Sequence, residues 1–237
     1  MSARDLHVAP IQAGAARDFI KKNHYSKKVV QNSFLHFGVF FNNKLEGVMQ
    51  FGPPMDKNKT QGLVDGTGWN GFIELNRMAF SDVLPRNSES RALGVVLRII
   101  KKRYPHIDWV LSFSDAAQCG DGTIYRASGF LLVGIRANKT IIKLADGRLV
   151  ADIVINTTKH KTGKSISWHL NNGAERLPGF KLKYIYFLNK EAKNRLTVPI
   201  IPFSEIVKIG AGMYKGVSRY KHAMFGSTET AEGKHLP

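Results

Sequence analysis

Side chains able to do chemistry gather in a few short stretches of the 237-residue chain. Asn23-His24-Tyr25-Ser26 sets an imidazole beside a phenol at the close of an amphipathic segment, and Asp115 follows the apolar run Trp109–Ser114. A histidine, a tyrosine and a carboxylate can relay a proton or ligate iron and leave open positions for other ligands. The plainer alternatives are a surface histidine whose charge suits a helix C-terminus and an aspartate that caps the turn after its strand. Arg77 interrupts a run with Ile73, Leu75, Met78 and Phe80 around it. A buried arginine needs an anion, so it reads either as a phosphate holder or as the structural partner of Glu74 or Asp82. Ser90 can orient a phosphate or cap a helix. Cys119, the only cysteine, precedes a short helix whose dipole can lower its pKa, although a small packed thiol is the simpler reading. One cysteine excludes an intrachain disulfide and a cysteine-based zinc site.

The charge balance narrows the partner. Thirty-five Lys and Arg against 18 Asp and Glu give +17, a field that attracts polyanions, nucleic acid first and an anionic membrane surface second. A merely soluble basic protein is the bland alternative. The bases concentrate late: Asn156 to Arg195 carries nine of them against Glu175 and Glu191, and Lys208, Lys215, Arg219 and Lys221 follow with no acid between. Trp168, Tyr184, Tyr186, Phe187, Tyr214 and Tyr220 are interleaved with them. Bases set phosphate affinity and aromatic faces can stack on exposed bases, so this basic third is the expected DNA-facing surface. For Tyr184–Leu188 the alternation instead favours core packing of a strand. Hydrophobic residues at 43% argue for a folded chain. No apolar run reaches the roughly 20 residues of a membrane span, and the N-terminus lacks a secretory pattern, so a cytoplasmic protein is expected.

The elements that must position these residues follow from periodicity. Asp5–Val8 reads as a short strand, and Gln12–Lys22 as a helix with Ala15, Ala16, Phe19 and Ile20 on one face. Phe34–Phe41 and Leu45–Phe51 form a hairpin through Asn42-Asn43-Lys44, because asparagine tolerates φ > 0. Gly52–Gly71 reads as a loop and Phe72–Phe80 as a strand. Asn87 or Ser88 caps a helix to Lys102, lined by Leu93, Val96, Leu97 and Ile100. Trp109–Ser114 is a buried strand, and Thr123–Ser128 a short helix closed by Gly129. Phe130–Ile135, Thr140–Lys143, Leu149–Ile155 and Lys181–Leu188 are the remaining strands. The alternation predicts an α/β (α+β) fold with a central mixed sheet flanked by helices. The expected organisation is a catalytic domain over 1–155, a basic C-terminal β-rich extension over 156–224 packed on it, and a flexible tail over 225–237.

This order of elements resembles the GNAT N-acetyltransferase fold. Ile124-Tyr125-Arg126-Ala127-Ser128-Gly129-Phe130 resembles the GNAT Tyr–x–x–x–Gly–Phe segment, whose tyrosine points at the thioester sulfur. A phenol of pKa near ~10 is well matched to a departing thiol. GNAT proteins hold the coenzyme A pyrophosphate on a Gln/Arg–x–x–Gly–x–Gly/Ala loop that opens a helix. Here Pro85-Arg86-Asn87-Ser88-Glu89-Ser90-Arg91-Ala92 stands at that place, with Arg86 present and both glycines absent. Such a loop can hold acetyl-CoA or a related donor, or set Ser90 and Arg91 against DNA phosphate.

Longer strings resemble the bacteriophage Mom family. They are Asn23–Ser26, Glu74-Leu75-Asn76-Arg77-Met78-Ala79-Phe80, Pro85–Leu93, Ser112–Asp115 and Gln118–Phe130, in the family's order over roughly residues 20 to 135. Pro199–Phe203 and Gly210–Gly216 fit less distinctively. The resemblance implies a DNA-modifying transferase that attaches a carbamoylmethyl group to adenine N6 in double-stranded phage DNA, through the CH₂ carbon, as protection from host restriction. It implies catalytic roles for His24, Tyr25, Asp115 and Tyr125, donor binding by Arg77, Arg86 and Ser90, and iron as a possible metal on His24, Tyr25 and Asp115. The target base must leave the stack, with Tyr25, Trp69 and Trp168 as candidate supports. Two rival readings are a conventional GNAT N-acetyltransferase acting on a small-molecule or protein amine, and a non-catalytic nucleic-acid-binding protein.

Overall fold

A computed structural model describes residues 2–24, 26–115, 120–177, 179–214 and 217–218. Tyr25, Cys119, Lys215, Arg219, Tyr220, Lys221 and the 225–237 segment lie outside the described residues. The elements run β1 (His7–Pro10), α1 (Ala13–Asn23), β2 (Leu35–Phe41), β3 (Lys44–Gly52), α2 (Lys57–Gln61), β4 (Phe72–Phe80), α3 (Ser88–Arg103), β5 (Trp109–Asp115), α4 (Thr123–Ala127) and β6 (Leu131–Ala137). After these come β7 (Ile141–Lys143), β8 (Leu149–Ala151), α5 (Asp152–Thr162), α6 (Ile166–Asn171), β9 (Glu175–Arg176), β10 (Phe180–Phe187) and α7 (Ser204–Lys208), with β11 and β12 pairing Met213–Tyr214 and Val217–Ser218. The expected strand, helix, hairpin, strand, helix, strand, short helix, strand order is therefore present. The described residues form two compact units, the first within 2–113, 122–134 and 183–201, the second within 114–121, 135–182 and 202–218.

The first unit is organised by a mixed seven-stranded sheet in the order β1-β2-β3-β4-β5-β10-β6. Asn42 and Asn43 both take positive φ, 50° and 60°, which turns β2 into β3 as their residue types predicted. On α1, Ala16 and Ile20 recur at the four-residue spacing of one face and bury themselves against Val48 and Ala79. Ala92, Leu93, Val96, Leu97 and Ile100 do the same for α3. Phe72 stacks on Trp109 with ring centroids 4.6 Å apart, which ties the start of β4 to the start of β5. Tyr184, Ile185 and Leu188 are buried, so this stretch is core strand, as its alternation indicated. β10 enters the central sheet between β5 and β6.

The second unit carries the small sheet β8-β7-β9, whose Ile142 and Leu144 pack with Ile155 of α5 and Ile166 of α6. Two local readings change. The strand expected over Leu149–Ile155 stops at Ala151, and Asp152 opens α5. A carboxylate in a first turn is favoured by the helix dipole, while the β-branched Ile153-Val154-Ile155 imitated a strand. The Gly52–Gly71 loop contains α2, whose first turn is capped by Asp56 accepting from the Lys59 N–H at 3.2 Å. No helix among the described residues is long and apolar enough to cross a membrane.

Candidate active site

The parallel pairing of β4 with β5 is short. Phe72, Ile73 and Glu74 lie opposite Trp109, Val110 and Leu111, and among the described residues the ladder ends there. Beyond it the carboxyl ends of both strands part, the position at which α/β sheets bind ligands. Ser112, the next residue of β5, is fully buried, and its hydroxyl has no hydrogen-bond partner among the described residues. An unmet donor is costly in a packed interior, and its place marks the point where the strands separate.

Arg77 lies on β4 past this point. Its Nε donates to the Lys28 carbonyl at 3.0 Å and its Nη1 to the Asn76 carbonyl at 2.7 Å. Both of these acceptors are backbone carbonyls, and neither is the carboxylate of Glu74 or Asp82 expected as a structural partner. The charge of the same arginine acts on His24. That imidazole is buried, and burial first, with the Arg77 charge second, pushes its pKa down to about 4. His24 is thus neutral at pH 7. Its Nδ1 accepts from the Ser26 N–H at 3.1 Å and lies 2.8 Å from the Ser26 hydroxyl, which assigns the proton to Nε2. The dipole-charge alternative fails for this residue, because a neutral ring at the end of α1 brings no charge. Ser33 and Asn76 fix the chain below: the Ser33 hydroxyl donates to Asn76 Oδ1 at 2.9 Å.

Tyr125 belongs to the β5 side of the opening. It is buried, and its hydroxyl donates to the Phe113 carbonyl at a long 3.5 Å. Phe130 and Tyr184 hold its ring at centroid distances of 5.4 and 5.3 Å. Gly122, at φ 81°, starts the turn into α4, and a Cβ there would lie 2.5 Å from the Tyr184 ring. Only glycine satisfies both the left-handed backbone and that contact.

Arg86 and Ser90 meet in an open cavity of about 870 Å³ at the N-terminus of α3. Arg4, Arg91 and Arg98 also line it, with Ser128 and Tyr186, and no acidic residue does. Asn87 caps the helix in the left-handed conformation without a side-chain hydrogen bond to its first turn, and the Ser88 hydroxyl goes to Pro85 instead. Four guanidinium groups lining one cavity that reaches a helix N-terminus with no capping side chain suit a phosphate-bearing ligand. Sequence reasoning missed Arg4, Arg91 and Arg98 as a group with Arg86. The seven-residue spacing of Arg91 and Arg98 within a recognised helix was the available signal.

The predicted site residues therefore fall into separate groups. His24 and Arg77 come together, as do Arg86 and Ser90, whereas Tyr125 stands on α4 with its hydroxyl on the Phe113 carbonyl of β5. Asp115 belongs to the second unit, where Asn138 donates to its Oδ2 at 3.2 Å. Asn138 is itself held, its Oδ1 accepting from the N–H and hydroxyl of Thr140 at 3.2 and 2.7 Å. Sequence reasoning did not single out Asn138, whose contact with Asp115 arises only from the fold. Among the described residues no three His, Cys, Asp or Glu side chains gather as a metal site, and Tyr25 of the expected iron set lies outside them.

Comparison with known proteins adds to this geometry. The profile of the Mom protein family matches residues 5–205. Methylcarbamoylase mom of Escherichia phage Mu is 36% identical over 200 residues, which covers 84% of this chain and 82% of that protein. Solved structures that align with it include an N-acyl amino acid synthase from uncultured soil microbes, at TM-score 0.47 and 15% identity over 81% of this chain and 95% of that one. A GNAT family acetyltransferase from Elizabethkingia anophelis with acetyl-CoA bound aligns at TM-score 0.45 and 13% identity, over 77% of this chain and 98% of that one.

Proposed function

This chain belongs to the Mom protein family, and on that premise we propose that it is a transferase that attaches a carbamoylmethyl group to adenine N6 in double-stranded phage DNA, in the host cytoplasm, as protection from restriction. The observation that carries the reading is the 36% identity to a methylcarbamoylase over 84% of the chain. The net charge of +17 fits a polyanionic substrate.

The N6 lone pair is delocalised into the ring, so the amine is a weak nucleophile and must shed a proton as its new bond forms. In the product that bond runs to a CH₂ carbon. Acyl transfer from acetyl-CoA would instead join N6 to a carbonyl carbon, so the donor is a relative of acetyl-CoA that already carries a leaving group on the CH₂ carbon. A coenzyme A thioether with carbamoylmethyl on its sulfur would supply that carbon, its C–S bond breaking as N6–CH₂ forms and the thiolate leaving. Arg86 and Ser90, with Arg91 and Arg98, would hold its phosphates. Tyr125 holds a phenolic proton for the departing group. Asp115, oriented by Asn138, accepts the proton from N6. His24, kept neutral by burial and Arg77, donates a hydrogen bond through Nε2, and Tyr25 follows it in the chain. The base reaches these groups by leaving the duplex, at a cost of about a few kcal/mol that phosphate contacts offset. Catalysis is assigned to the 1–155 region.

Nucleoside mass spectrometry on plasmid DNA from cells expressing the chain tests this. Deoxyadenosine heavier by one carbamoylmethyl unit is expected with the intact protein and absent with Asp115→Ala. An N6-acetyl product would replace the reading with ordinary acetyl transfer, and unmodified DNA at good expression would refute it.

A further inference from the structure

The second unit holds a feature that the proposed chemistry does not use. α5 ends at Gly163, whose left-handed φ of 68° lets its N–H close the helix on the Lys159 carbonyl at 2.7 Å. Lys164 and Ser165 complete a three-residue turn, and the Ser165 hydroxyl caps α6 by accepting from the Trp168 N–H at 3.1 Å. Helix, glycine-containing turn and helix make a hairpin. Its inner side is anchored by Ile155 and Ile166 on the small sheet, so its outer side is what it offers to a partner.

The exposed surface around the turn has one sign of charge. Lys159, Lys161 and Lys164 are all exposed, and no Asp or Glu occurs between Ile153 and Ala174. The acids on either side are already paired: Asp152 with Arg176 at 3.5 Å, and Glu175 with Lys143 at 3.2 Å. Lysines at a helix C-terminus also suit the dipole, which accounts for Lys159 and Lys161 but not for Lys164 beyond it. Nor does the dipole account for Trp168, a large apolar ring left 40% exposed. Lys164 Nζ sits 4.4 Å from its ring centroid, and His169 meets the ring edge-on at 5.1 Å. A tryptophan steadied by a cation on the surface of a basic tip has the composition of a nucleic-acid contact, in which lysines meet phosphates and the ring meets bases.

We propose that the α5–α6 hairpin is a DNA-docking element, with Lys159, Lys161 and Lys164 on the phosphodiester backbone of duplex DNA and Trp168 against its bases. The inference rests on the reading that duplex DNA is the substrate, and it adds where the duplex is held.

Fluorescence anisotropy with a labelled duplex across a salt series tests it, on the full chain. The combined Lys159→Ala, Lys161→Ala, Lys164→Ala variant is expected to bind more weakly, with the slope of log K against log salt reduced by about 0.9 for each phosphate it no longer neutralises. Trp168→Ala is expected to keep the wild-type slope and lose affinity on the order of tenfold. All four residues are exposed, so unchanged circular dichroism is expected for both variants. If wild type binds duplex and the triple-lysine variant matches its affinity and slope, the docking assignment falls while the proposed function stands. If wild type does not bind duplex at all, both fall.

Discussion

The positive charge of Arg77 acts on the buried imidazole of His24, and after burial itself it is the second cause of the ring's depressed pKa. Folded His24 titrates near 4 and its ordinary value is 6.5, so between these values the unfolded chain binds the extra proton. The stabilisation is complete above about pH 6.5 and is lost as the pH falls toward 4, on the order of 3 kcal/mol in all. Urea denaturation at a series of pH values should show this loss for wild type and a flatter profile for His24→Asn. Arg77→Met should raise the His24 pKa in an NMR titration, yet leave it below 6.5 because burial is the larger cause. An unchanged His24 pKa in that variant would remove the electrostatic link.

Tyr125 tests the acid. Tyr125→Phe keeps the ring that packs with Phe130 and Tyr184, so the variant should fold. Its kcat should fall by about 10²–10⁴, the usual range for a lost general acid, with KM for the donor unchanged. A kcat within a factor of two of wild type would reassign Tyr125 to core packing with Phe130 and Tyr184.

Gly122 and Gly147 separate space from backbone strain. Both have left-handed φ, 81° and 83°, but a Cβ at Gly122 meets the Tyr184 ring at 2.5 Å whereas at Gly147 nothing lies within 4 Å. Gly147→Ala should cost only the conformational penalty of about 1–2 kcal/mol. Gly122→Ala should cost that plus about 1–3 kcal/mol of overpacking, since Tyr184 is fully buried. Thermal melts of the two variants decide this, and equal losses would show that the Tyr184 ring yields.

What the sequence made legible was local. The 3.6-residue period of Leu93, Val96, Leu97 and Ile100 and the paired asparagines at 42 and 43 each contain their own instruction. The insertion of β10 between β5 and β6 does not, because it is a pairing across many residues of chain, and alternation cannot say which neighbour a strand takes. The same limit hid the site. His24 looks exposed in sequence, and becomes buried and neutral only through the fold. Asn138 acquires its role only by lying beside Asp115, twenty-three positions away in the chain. The spacing of Arg91 and Arg98 was legible in principle, but the absent glycines of the preceding loop are the louder local signal and point away from phosphate.

Those two arginines carry the last prediction. They lie seven residues apart on α3, two turns and about 10 Å along its axis, with Gly94 between them. A Cβ at Gly94 would come within 4 Å of Arg98 Nη1 alone, at 3.8 Å, and Arg91, Gly94 and Arg98 line the same cavity. Arg4 and Arg86 complete the lining without any acid. A ligand with phosphates along its length would bridge such a row, and the same contacts would serve its ground and transition states alike. Loss of uniform binding raises KM and spares kcat. Arg91→Ala with Arg98→Ala should therefore raise the KM for the donor tenfold or more, on the order of one or two charge-assisted hydrogen bonds. Turnover at saturating donor, and KM for DNA, should stay near wild type. If KM for DNA rises instead while that for the donor holds, the groove carries the DNA backbone, and the donor's phosphates must be sought elsewhere in the first unit.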